Sequence, residues 1–97
     1  MIIVQDTFVC KPGNASKLAK LCKETMMTFT ETKSIMTDMT GQFNRVIIVS
    51  EYADLKAYQE SWEKMAKPTP EQQEAMKKME NYTDMYLTGS REIFKVW

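Results

Sequence analysis

Histidine is absent from this sequence of 97 residues. Its absence removes the commonest metal ligand and the usual general base at neutral pH. Any mechanism built on a Ser-His-Asp or Cys-His pair is excluded with it. Cysteine is scarce: Cys10 and Cys22 form no C-x-x-C motif, and no second pair completes a zinc site. No metal and no cofactor is therefore expected. Charge of one sign is lacking too, because 13 Lys and Arg balance 13 Asp and Glu. That balance argues against a nucleic-acid binder working through a basic surface. No apolar run approaches the ~20 residues of a membrane helix, so a membrane is not an expected partner either. The opening segment has no basic region ahead of a long apolar stretch, and no secretory signal is expected. A reducing cytoplasm with both thiols free is the simplest compartment. Both cysteines read most simply as small apolar side chains in or near a core.

What is present is one domain, residues 1–97, with alternating strand and helix character. A chain this short buries roughly 60–68% of its unfolded surface, so pairing with another copy would help it. Ile2 to Val9 is rich in β-branched and aromatic residues and reads as a strand. Its faces are Ile2, Val4, Asp6, Phe8 and Ile3, Gln5, Thr7, Val9. Lys11-Pro12-Gly13-Asn14 breaks it, and Asn14 or Ser16 caps the helix that follows. Leu18, Leu21, Cys22, Met26 and Phe29 set the buried stripe of that helix. Ser34 to Thr40 reads as a second strand, joined through a type II′ turn at Gly41-Gln42 to a third. The third strand, Phe43 to Glu51, carries the run Val46-Ile47-Ile48-Val49, which fits cover on both faces. Asp54 caps a helix with Leu55, Tyr58, Trp62 and Met65 on one face. Pro68 and Pro70 interrupt it, and Thr69-Pro70-Glu71-Gln72 opens another with a capping box and Ala75, Met76 and Met79 on its apolar side. Met85 to Trp97 reads as a last strand, interrupted at Gly89-Ser90.

With the two late helices taken as one broken crossover, the order βαββααβ is the split β-α-β, or ferredoxin-like, arrangement. Right-handed crossovers put the first and third strands at the centre of a four-stranded antiparallel sheet, with the helices on one face. Ile3, Val9, Phe43, Arg45, Ile47 and Val49 then point to the uncovered face. Apolar area of that extent favours association, and a homodimer packed sheet to sheet is the simplest cover.

The layout resembles the dimeric α+β barrel superfamily, which includes antibiotic-biosynthesis-type monooxygenases and NIPSNAP-like proteins. The resemblance rests on the opening strand ending in Lys11-Pro12-Gly13 ahead of a helix. It rests also on the central strand that runs from Val46 through Ser50-Glu51-Tyr52 into the helix holding Tyr58. It implies two sheets closed into a barrel at a dimer interface, and in each subunit a pocket between sheet and helices. In the haem-degrading branch of these families an asparagine stands at the place matching Asp6 and a tryptophan at the place matching Tyr52. A later histidine of that branch has no counterpart here. All three positions depart from that pattern.

Asp6 shares its strand face with Val4 and Phe8. A carboxylate in a partly apolar pocket has its charged form disfavoured, which suits a general base; the plainer role is a solvated or hydrogen-bonded aspartate. Tyr58 and Trp62, four apart, share a helical face, and Tyr52 leads into that helix. Together with Phe8 they are candidate ligand-binding residues for a flat aromatic molecule, and core packing is their commoner use. The methionines, nine in all, read mainly as core gap-fillers. Two functions stay open: a small homodimeric protein binding an apolar or aromatic ligand, and a cofactor-independent monooxygenase or isomerase acting on an aromatic or polyketide-like compound.

Overall fold

The computed structural model describes residues Met1–Trp97. Strand β1 runs over Ile2–Cys10. Gly13 takes φ +82°, a left-handed conformation open to glycine at no steric cost, and turns the chain into helix α1, Ala15–Thr25. Asn14 occupies the N-cap position, but neither it nor Ser16 makes a side-chain capping bond. Thr25 ends the helix, donating its hydroxyl to the carbonyl of Leu21 at 2.8 Å. A 3-10 turn at Met26–Thr28 follows, so Phe29 lies beyond the helix whose stripe it was expected to join.

Strand β2 covers Thr32–Thr37 and β3 covers Arg45–Tyr52. The expected two-residue hairpin is instead a loop from Asp38 to Asn44. The Asp38 carboxylate accepts from the Arg45 backbone N–H and from its Nε, each at 3.2 Å. Gly41 and Asn44 both take positive φ, +95° and +65°, and asparagine tolerates that region through its short polar side chain. These anchors widen the turn and start β3 two residues late. Phe43 therefore sits in the loop, 81% exposed, rather than on the strand face where it was expected.

Helix α2, Leu55–Met65, begins as expected: the Ala57 N–H donates to Asp54 Oδ1 at 2.8 Å. Helix α3, Pro70–Lys78, opens on a full capping box between Thr69 and Gln72. Met76, expected on its apolar side, is exposed. A 3-10 turn at Tyr82–Asp84 leads into β4, Tyr86–Lys95. This strand runs unbroken through Gly89-Ser90. Gly89 pairs with Phe8, and a Cβ there would lie 3.4 Å from the Phe8 ring. The glycine meets a close side chain; it does not end the strand. The irregularity comes earlier, where the register shifts between Val9 and Cys10.

The strands form one antiparallel sheet in the order β2-β3-β1-β4. This is the ferredoxin-like α+β fold, with β1 and β3 central and the helices on one face. Strand alternation sends Ile2, Val4, Cys10, Val46 and Ile48 toward the helices, and all are buried. Leu18 and Cys22 of α1 close over Cys10, Val46 and Ile48. The core is thus concentrated beneath α1. Neither α2 nor α3 contributes a fully buried residue, and a space is left beneath α2.

The molecule is a slab 36 × 36 × 18 Å, and only nine of its residues are buried. The face away from the helices carries Ile3, Val9, Ile47 and Val49, all half-buried, and the register adds Met36 and Phe94, both exposed. Arg45 lies on that face but is committed to Asp38 within the chain. No helix is long and apolar enough to cross a membrane.

Candidate functional site

A cavity of about 340 Å³ opens between the sheet and α2. Its floor is Val4 and Asp6 on β1 with Ser50 and Tyr52 on β3. One wall is α2, through Tyr58, Ser61, Trp62 and Met65. The segment Thr28–Thr32 forms another, and Arg91 of β4 closes the far side.

The aromatic wall is a ladder of edge contacts. Tyr52 and Tyr58 have centroids 5.0 Å apart at 67°, and Tyr58 and Trp62 are 6.2 Å apart at 81°. Spacing by four on α2 puts the last two on one face, and the strand-to-helix turn after Tyr52 delivers the first. Burial pushes the Tyr52 phenol above its ordinary pKa; the neighbouring Ser61 hydroxyl opposes this and the Glu31 carboxylate adds to it. Tyr52 is thus a neutral phenol at physiological pH.

The polar end is an ion pair. Arg91 Nε donates to Asp6 Oδ1 at 2.6 Å and Nη2 donates to Oδ2 at 3.3 Å. The two residues face each other in the β1–β4 register, which makes the two-armed contact a direct cross-strand one. The Arg91 guanidinium also lies 5.1 Å from the Trp62 ring centroid, a cation–π distance. The hydrogen bond to Asp6 holds the Arg91 pKa above its ordinary value, against the effect of desolvation.

The structure brings Asp6, Tyr52, Tyr58 and Trp62 around one cavity. It does not bring Phe8 there. Phe8 packs against Tyr86 at 4.9 Å and Tyr82 at 6.5 Å, because the strand carries it toward the end where α1 and the 3-10 turn before β4 close the core. Asp6 also differs from the lone carboxylate expected of a general base, being paired with a permanent cation. Arg91 is the residue that the sequence reading missed. Its signal was an opposite charge on a strand that the topology places beside β1. The hydroxyls of Ser50, Ser61 and the Thr28–Thr32 segment were missed as well, and no spacing marks them. No group of three or more Cys, Asp or Glu side chains gathers to hold a metal ion.

The cavity can hold a flat ring against Trp62 and Tyr58 and offer it hydroxyl groups, the Asp6–Arg91 ion pair and the side chains of Glu31 and Lys64. Such a mix of apolar walls with a few orienting polar groups is usual for small-molecule sites.

No protein-family model and no curated protein matches the sequence. Among solved structures the chain is similar to an uncharacterized NIPSNAP domain protein from Burkholderia xenovorans, with TM-score 0.79 and 14% identity over 100% of this chain and 95% of that one. It is similar to a NIPSNAP family protein from Agrobacterium tumefaciens, with TM-score 0.79 and 16% identity over 97% and 90%. An antibiotic biosynthesis monooxygenase gives TM-score 0.59 and 14% identity over 100% and 99%. These are the two kinds of protein that the sequence resembles, and at such identities the likeness is one of fold.

Proposed function

We propose that the chain acts as a homodimer, each subunit of which binds a small aromatic ligand between its sheet and α2. The observation that carries this reading is the cavity itself. A well-formed hollow of about 340 Å³ is walled by three aromatic rings in contact and backed by a charge pair. Side chains that served only as core would have closed it. Trp62, 47% accessible, offers a ring at the mouth of the cavity beside the Arg91 guanidinium. The thinness of the slab and the uncovered apolar face support a second copy against the sheet. Buried, free thiols at Cys10 and Cys22 fit a reducing cytoplasm.

Native mass spectrometry of freshly purified protein tests both halves of the reading, since it reports the mass of the assembly and of any retained ligand. Titration of a Trp97→Phe variant with 2-naphthol isolates Trp62 as the optical probe. Saturable quenching that is lost in Trp62→Ala and weakened in Tyr58→Ala, with both variants folded, is the expected result. Unchanged affinity in both variants rejects the site.

A second reading, oxygenation of the bound ring without a cofactor, draws on the fold shared with an antibiotic biosynthesis monooxygenase and on the Asp6 carboxylate in the cavity floor. In such a reaction a ring methylene and dioxygen give a ketone and water, the substrate supplying the electrons. Asp6 would have to leave Arg91 before taking the substrate proton. Oxygen uptake that requires both an aromatic substrate and Asp6 would favour this reading over simple binding.

A further inference from the structure

The helix-bearing side of β1 and β4 holds a second hollow, of about 300 Å³, next to the first. It lies over Phe8 and Gly89, with Tyr86 beside them. The two hollows share just two lining residues, Asp6 and Arg91. Those two are the partners of the ion pair. Along β1 the residues Val4, Asp6 and Phe8 project to one side, so the hollows follow each other along the strand with the pair between them.

Both ends of this track are aromatic. Tyr58 and Trp62 stand at one, and Phe8 and Tyr86, 4.9 Å apart, at the other. The floor at the second end is open because residue 89 has no side chain. The partition lies at the edge of the sheet: Arg91 is on the edge strand, with its side chain 44% exposed, held by Asp6 on one side and by the half-exposed Trp62 of α2 on the other, and Ile93 beside it is exposed as well. Partly exposed ion pairs and cation–π contacts are each weakly held, and the long arginine side chain can carry its head outward.

We propose that the two hollows are halves of one elongated ligand site, divided by the Asp6–Arg91 pair, which opens when Arg91 swings away from the carboxylate. The site takes a neutral, rod-shaped molecule with an aromatic ring at each end. From Val4 to Phe8 is four residues, about 13 Å of strand, which is roughly the length of a stilbene and well beyond that of a single bicyclic ring. Neutrality follows because the charges lining the two hollows balance, Asp6 against Arg91 and Glu31 against Lys64. This rests on the ligand-binding reading of the first cavity.

The experiment compares two probes by calorimetry, 2-naphthol for one hollow and 4,4′-dihydroxystilbene for both. The wild-type protein should bind the stilbene at least about tenfold more tightly, through the added ring burial. Gly89→Val should remove that advantage and leave 2-naphthol binding unchanged. Its Cβ falls at ordinary contact distance from Phe8 and its methyl groups fill the second hollow. The double variant Asp6→Asn/Arg91→Gln, which loosens the partition without leaving a lone charge, should tighten stilbene binding. Thermal unfolding monitored by circular dichroism confirms that each variant is folded. Equal affinity of the two probes for the wild-type protein overturns the elongated site while leaving the first cavity standing. Failure of both probes to bind overturns the cavity reading and the elongated site with it.

Discussion

Arg91 holds Asp6 through two arms of its guanidinium, at 2.6 and 3.3 Å, and places the carbon of the same group 5.1 Å from the Trp62 ring centroid. One side chain thus ties the edge strand β4 to the central strand β1 and to α2. The link matters because α2 buries none of its residues fully. Its seat over the sheet depends on the aromatic ladder and on this cation.

A double-mutant cycle of Asp6→Asn and Arg91→Gln should give a coupling of about 0.5–1 kcal/mol by urea unfolding, the size usual for a partly exposed pair. In a Trp97→Phe background the emission of Trp62 should shift when Arg91 is replaced, as the indole loses its cationic partner. If the coupling is real and the emission stays put, the ion pair spans the strands but does not hold α2.

The strands, the layers and two of the three helix caps were legible because they depend on local chemistry; the cap expected from Asn14 or Ser16 does not form. The run Val46 to Val49 reads as a strand, of which the helices cover Val46 and Ile48, and Asp54 and Thr69 cap the helices that follow them. The connections were less legible. The turn at Gly41 looks like a tight hairpin until Asp38 is seen to hold Arg45, a contact between side chains seven residues apart. The site was half legible for the same reason. Tyr58 and Trp62 share a face by helical spacing, and Tyr52 is joined to them by a short turn. Arg91 meets Asp6 across 85 residues, and that contact follows from strand register rather than spacing. Phe8 illustrates the converse: alternation gave its face correctly but could not say which of two hollows on that face it would border.

The uncovered face predicts a dimer that one charge can break. Ile47 lies near the middle of β3 and points away from the helices, flanked across the strands by Met36 and Thr7. An unpaired charge buried there costs several kcal/mol. Analytical ultracentrifugation at low micromolar concentration should show a species of twice the chain mass for the wild type and a monomer or unfolded chain for Ile47→Asp. A wild-type protein sedimenting as a single chain of 11.3 kDa would sink the barrel arrangement.

Asp38 predicts a loss of stability in acid. Desolvation alone would raise its pKa, but the Arg45 N–H and guanidinium together hold the carboxyl below its usual range. A carboxyl with a folded-state pKa below the unfolded value stabilises the fold at pH above that unfolded value. The contribution fades as pH falls through the folded pKa. Asp38→Asn should therefore flatten the acid limb of a stability-versus-pH curve, read from urea midpoints between about pH 6 and pH 2, relative to the wild type. It should also loosen the loop that carries Phe43, since the Arg45 side chain loses its charged partner. Identical acid limbs in the two proteins would rule out this role for Asp38.

Cys22 makes the opposite prediction at the other end of the scale. Burial beneath α1 pushes its thiol up to about 11 from the ordinary 9.0, and the neighbouring Cys10 adds to the shift. Well below pH 9 both folded and unfolded chains keep the proton, so this group adds no pH dependence to the stability. Between 9 and 11 the unfolded chain releases the proton while the folded chain retains it. The unfolded state then binds fewer protons, and stability falls as pH rises. Tyr52 and Tyr82, whose phenols are also pushed up by burial, act in the same direction at higher pH. The readout is thus the difference between wild type and Cys22→Ala, taken from urea midpoints at about pH 8 and pH 10 under reducing conditions. The variant starts less stable because a smaller side chain leaves space beside Leu18 and Val46. Its midpoint should nevertheless fall less steeply over that interval. Parallel slopes would mean that the Cys22 thiolate is accommodated in the fold, and that the core beneath α1 admits water.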